Sequence, residues 1–126
     1  MNYEFQMKEN KKSIIQKKSF EFALKIIELY RQLVANKEYV LSKQLLRSGT
    51  SIGANVEEAS AAQSKKDFIN KMSIASKEAR ETRYWIRLLQ KSKIVSLDYK
   101  IYLEETEEII KILTSIVKTS KEKLSK

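Results

Sequence analysis

From residue 19 onward, apolar residues return every three or four positions, and they do so in four blocks. That is the period of an α-helix with one buried face. In the first block Phe20, Ala23/Leu24, Ile27, Tyr30 and Val34 make one stripe, with Phe22, Ile26, Leu29 and Leu33 beside it. So wide a surface exceeds what one neighbour covers, which puts this helix at the centre of a bundle or against another subunit. The second block buries Leu41, Leu45, Ile52, Val56 and Ala59. The third turns Phe68, Met72, Ala75, Ala79, Thr82, Ile86 and Leu89 inward. The fourth carries Leu103, Thr106, Ile110, Leu113 and Val117, with Ile109, Ile112 and Ile116 adjoining.

Polar punctuation sets the ends. Ser19 is placed to cap the first helix, and Ala35-Asn36-Lys37-Glu38 makes the first turn. Gln63-Ser64 interrupts the second pattern, and Ser64 with Asp67 three residues later resembles a capping box. Ser92-Lys93 opens the last turn, after which Ser96 or Asp98 caps the fourth helix. The predicted helices are 19–35, 42–63, 64–91 and 96–121. Residues 1–18 read as a basic, frayed or partly helical arm, and 122–126 as a basic tail. Short connections make the domain at 19–121 an all-α, antiparallel, up-down-up-down four-helix bundle.

Composition supports long helices. The chain has no Pro and only two Gly, Gly49 and Gly53, both inside the second helix. Each costs about 1 kcal/mol relative to Ala there, so they permit close helix approach or a bend. At 126 residues a single domain with a real core is expected. The chain has neither Cys nor His. Cys/His zinc sites, Cys nucleophiles, Ser-His-Asp triads within one chain and disulfides are therefore excluded. No apolar run approaches the roughly 20 residues of a membrane span, and the first residues lack a signal-peptide core. The expected location is the cytoplasm, with no membrane partner.

Charge narrows the choice of partner. A net charge of +9 favours anions, and much of the excess lies on the third helix. Lys66, Lys77, Arg80, Arg83, Arg87 and Lys91 recur there at helical offsets, with Tyr84 and Trp85 interleaved. Arg pairs with phosphate through two parallel hydrogen bonds, and aromatic rings stack on unpaired bases. The bland alternative is a solvated face whose arginines pair with Glu104, Glu105, Glu107 or Glu108 of the fourth helix. A second cluster joins Asn55 and Glu58 to Glu78 and Glu81. Carboxylate metal sites in bundles normally add a Glu-x-x-His element, which this chain lacks. The cluster therefore reads as a structural polar network of Arg47, Asn55, Glu58 and Glu81, with Glu81 held by Arg47, Ser48 or Asn55. No nucleophile elbow, phosphate-cradling loop or positioned base is present. The expectation is no catalytic residue, no metal, no cofactor and no enzymatic activity.

Ser51-Ile52-Gly53-Ala54-Asn55-Val56-Glu57-Glu58-Ala59 resembles the Ser-Ile-Pro-Ala-Asn-Ile-Ala-Glu-Gly stretch of the 23S rRNA intervening-sequence proteins, also called four helix bundle proteins. The stretch from Lys77 to Leu89 looks like that family's third helix, and Phe20 to Leu33 is similar to its first. Gly53 replaces the usual Pro, and Ala59 the usual Gly. The resemblance implies a small cytoplasmic bacterial protein, sometimes encoded within an insert in the large rRNA gene. The family is also similar to the accessory protein of diversity-generating retroelements, a barrel-shaped homopentamer that binds nucleic acid and a reverse transcriptase. A homo-oligomer is thus expected, with a closed ring as its leading form and a pentamer as one candidate size. Tyr30, Leu33, Ile101, Tyr102, Ile112 and Ile116 are the candidates for its buried contacts. The functional expectation is binding of nucleic acid, RNA before DNA, through the third helix. The alternative is an oligomeric scaffold for a protein partner, without nucleic-acid contact.

Overall fold

The computed structural model describes residues 3–125, with side chains described from Ile14 onward. Four helices follow one another: α1 (Tyr3–Ala35), α2 (Leu41–Ser60), α3 (Lys65–Ser92) and α4 (Lys100–Leu124). Each packs on its two neighbours in the ring order α1, α2, α3, α4, and the diagonal pairs have no close backbone approach among the described residues. The α1–α4 seam is the least closely packed. Among the described residues there is no strand. The expected up-down-up-down bundle is the fold.

The helix start expected at residue 19 is corrected. α1 runs without a break from Tyr3, and Ile15 is fully buried. Ser19 is therefore a mid-helix residue, not a cap. Its hydroxyl donates to the Gln16 carbonyl at 3.3 Å, and the residue is buried beside Gly53 of α2. A serine on the buried face of a helix carries the same letter as one at its end, which explains the misreading. Residues 122–124, expected as tail, continue α4.

The core takes one of the two α1 stripes. Phe22, Ile26, Leu29 and Leu33 are essentially inaccessible, whereas Phe20 and Leu24 remain 64% and 54% exposed. Every residue expected inward on α3, from Phe68 to Leu89, is buried. On α4 the buried set is Thr106, Ile109, Ile110, Leu113, Ile116 and Ser120. Leu33 and Ile116, expected among the uncovered residues, belong to this core. Tyr30, Tyr102 and Ile112 are half-buried, and of that group Ile101 alone is exposed. Helix rotation decides these positions, and a double stripe leaves rotation open.

The helix ends are held by side chains. Ser64 Oγ accepts the Asp67 amide at 3.1 Å, and Asp98 accepts the Lys100 amide at 3.0 Å. At the first turn Glu38 accepts the amides of Val40, Leu41 and Ser42 at 3.1, 2.9 and 2.6 Å. Those are three of the donors left open at the start of α2. Burial pushes the Glu38 carboxyl upward, but the amide bonds outweigh it and hold its pKa below the ordinary value.

Candidate nucleic-acid interface

A helix advances about 100° per residue, so the rotation of α3 follows from its buried residues. Lys66, Lys77, Arg80, Arg87 and Lys91 fall within about 80° of arc, opposite the core stripe. All five are exposed. From Lys66 to Lys91 the row extends about 37 Å along the axis, at 1.5 Å per residue. Among the described residues none of the five has a carboxylate within ion-pair distance.

Arg83 separates from the row. It is rotated toward α4, where its guanidinium donates to Glu107 at 2.9 Å. Its charge is thus half-committed in advance. Arg80 shows the opposite behaviour. Its neighbour on α4 is the Thr114 hydroxyl, to which it donates at 3.4 Å. The bland reading of paired arginines therefore holds for Arg83 and fails for Arg80. The aromatics divide too. Tyr84 is 55% exposed among the cations, whereas Trp85 is half-buried on the α2 side. The two rings meet edge to face, with centroids 5.1 Å apart.

The polar network is smaller than expected. Arg47 joins Glu81 at 2.7 Å and Glu78 at 3.8 Å, and Trp85 Nε1 donates to Glu81 at 3.4 Å. Beneath them the Thr82 and Ser48 hydroxyls share a 2.9 Å hydrogen bond. Asn55 and Glu58 do not take part. Asn55 donates to the Ser51 carbonyl of its own helix at 2.8 Å, and Glu58 faces Lys71 at 3.6 Å. Both lie beyond the level at which Arg47 faces α3, so their side chains find nearer partners. Glu78, a member of the sequence cluster though not of the expected network, is the least satisfied of these acids. Burial pushes its carboxyl above the ordinary value, the adjacent Glu81 charge adds to this, and Arg47 only partly offsets it. Its Oε2 is buried without a hydrogen-bond partner among the described residues. Spacing held the signal, since Glu78, Glu81 and Trp85 recur at three and four residues. Among the described residues no three acids converge as metal ligands would.

A family model described as 23S rRNA-intervening sequence protein matches residues 11–115. The chain belongs to this family. It is also similar to a crystal structure of a protein with unknown function from the S23 ribosomal protein family of Bacteroides thetaiotaomicron VPI-5482. The two share 51% identity and a TM-score of 0.82, over 86% of this chain and 98% of the other. No curated protein matches the chain. The intervening-sequence match takes in all of α2 and α3, including the Gly53 and Ala59 departures, so neither change removes the chain from the family. Among the described residues no helix is long and apolar enough to cross a membrane.

Proposed function

We propose that this intervening-sequence family protein is a non-enzymatic, self-associating bundle that binds RNA along the outward face of α3. The observation that carries this reading is the row Lys66, Lys77, Arg80, Arg87 and Lys91. It has no carboxylate partners among the described residues and carries exposed Tyr84 in its midst. An uncommitted cation releases counterions when it meets phosphate, and that release drives binding. An exposed tyrosine adds a sequence-tolerant stacking surface for unpaired bases. The family's name lends an rRNA connection.

Self-association uses the other side of the molecule. Phe20 and Leu24 are exposed on the outer face of α1, with half-buried Ile27 and Val34 on the same side. α1 and α3 are diagonal in the bundle, so subunits joined through the outer face of α1 leave the cation rows free. A closed ring, a pentamer by family resemblance, would display several such rows. The same apolar face favours the second reading, a scaffold whose partner is another protein.

The deciding measurement is fluorescence anisotropy with a single-stranded RNA of mixed sequence at several salt concentrations. RNA binding predicts an affinity that falls steeply as salt rises. It also predicts loss of that binding in a Lys77→Gln/Arg87→Gln/Lys91→Gln variant of unchanged helicity. An absence of RNA binding at low salt, or an affinity indifferent to salt, would overturn the reading and leave the scaffold.

A further inference from the structure

Beside the cation row, α3 and α4 leave an open cleft of about 380 Å³. Ser73, Ser76 and Arg80 line it from α3, and Thr114, Lys118 and Lys121 from α4, together with Val117. The spacing places each set on one side of its helix: 73, 76 and 80 on α3, and 114, 118 and 121 on α4. No carboxylate lines the cleft. Among the described residues Arg80, Lys118 and Lys121 have no acidic partner.

The hydroxyls sharpen the picture. Helical Ser and Thr ordinarily turn back onto a carbonyl one turn earlier. Ser42, Ser48, Thr50, Ser51, Thr82 and Thr106 all do so here. Ser73 and Ser76 do not, and they have no hydrogen-bond partner among the described residues. Thr114 meets only the Arg80 guanidinium. Three cations and two uncommitted hydroxyls, those of Ser73 and Ser76, thus line a space without a negative charge. Lysines near the end of α4 also offset its dipole, but that role needs neither the hydroxyls nor Arg80.

We propose that this cleft is a phosphate-binding site, in which Arg80, Lys118 and Lys121 hold one phosphate group while Ser73 and Ser76 donate to its oxygens. The inference rests on the reading that the α3 face binds RNA and extends the contact onto α4. Arg80 is the shared residue, so the strand leaves the row and enters the cleft at that point. The matched family region ends at residue 115, so the two lysines lie beyond it. Such a contact positions a strand without reading its sequence. A free phosphate presents the same chemistry, and the experiment separates the two sources.

The test uses the full chain, isotope-labelled, titrated separately with an eight-nucleotide uridine RNA and with inorganic phosphate. The resonances followed are Arg80 Nε–H and the amides of Ser73, Ser76, Thr114 and Lys118. RNA is expected to shift this set. In Lys118→Gln/Lys121→Gln the slope of log affinity against log salt should flatten by about 0.7, because one phosphate contact on a single strand contributes about that much. Lys118→Arg/Lys121→Arg should restore the slope, and circular dichroism should show equal helicity in all three proteins. If RNA binds with these resonances unmoved and the slope unchanged, the cleft proposal fails and the α3 reading survives. If RNA does not bind but inorganic phosphate shifts the set, and the Gln variant abolishes that shift, the site stands for a free phosphate and the RNA reading fails. If neither ligand moves the set, the cleft is not a phosphate site.

Discussion

Glu38 and Ser42 hold each other across the first turn: the Ser42 amide donates to the Glu38 carboxylate at 2.6 Å, and the Ser42 hydroxyl donates back to the Glu38 carbonyl at 2.8 Å. The pair is buried, at 7% and 0% exposure, and stands where α2 has no cap from its own N-cap side chain. A carboxylate at this end also opposes the helix dipole favourably. Glu38→Ala should therefore destabilise the protein by about 1–2 kcal/mol in urea unfolding, the usual worth of a cap. The folded-state pKa of Glu38 lies below its ordinary value of 4.5. Its stabilisation is thus present above pH 4.5 and fades as pH falls through the lower, folded value. The difference between parent and variant should shrink in that acid window.

Glu78 has the opposite sign. Its pKa lies above 4.5 because burial and Glu81 both disfavour the charged form. The folded state then binds the proton more tightly than the unfolded one. Ionising Glu78 costs stability, with the full penalty present once pH exceeds the folded value. Glu78→Gln should raise stability at pH 7 by on the order of 1 kcal/mol, the scale of an unsatisfied buried polar group. The gain should vanish below pH 4.5. Urea unfolding of both proteins at pH 4 and pH 7 checks this, and equal stability at pH 7 would contradict it.

The two glycines should respond differently to Ala. A methyl at Gly49 would stand 2.8 Å from Ile26 Cγ2 and 2.9 Å from Cγ1. Ile26 is fully buried and stiff at its branch, so Gly49→Ala should cost about 1–3 kcal/mol as overpacking. At Gly53 the nearest atom is the Ser19 carbonyl oxygen at 3.4 Å, and neither glycine has a positive φ. Gly53→Ala should be neutral or stabilise by up to about 1 kcal/mol through helix propensity. Thermal unfolding of the pair gives the comparison directly.

Within the cation row, single replacements should rank by prior commitment. Arg87→Gln should weaken RNA binding and flatten the salt slope by about 0.7. Arg83→Gln should do less, because Glu107 already holds that guanidinium. Anisotropy at three salt concentrations measures both, and a larger loss for Arg83 would reverse the ranking.

Assembly is tested on the outer face of α1. Light scattering of the parent at micromolar concentration should give several times 14.7 kDa. Phe20→Glu/Leu24→Glu places charges on residues that are mostly exposed, so helicity should hold while the mass falls toward one chain. A parent that scatters as a monomer would remove the ring.

Helix number, helix type and the inward face of α3 were legible in the chain itself. Phe68 through Leu89 form a single stripe, and a single stripe admits one rotation. α1 carries two, so the choice of Phe22 and Ile26 over Phe20 and Leu24 was not. Gly49 showed that some close approach was needed, but not that Ile26 made it. The candidate site divides in the same way. The cations of α3 are a periodic row and could be read directly. That Arg83 is paired while Arg80 is not depends on which α4 residue stands opposite, Glu107 or Thr114.

The sequence by itself therefore determined the periodic properties of this protein: four helices, their order, a basic third helix and the family. These follow from local spacing, which a linear pattern records in full. Tertiary structure alone decided the pairings. It set α4 beside α3 so that Lys118 and Lys121 line one cleft with Arg80 and Ser76. It left Glu78 half-compensated beneath Arg47, and it gave the start of α2 to Glu38. Each of these depends on the rotation and axial offset of two helices, and those are fixed by core packing rather than by any residue's own preference.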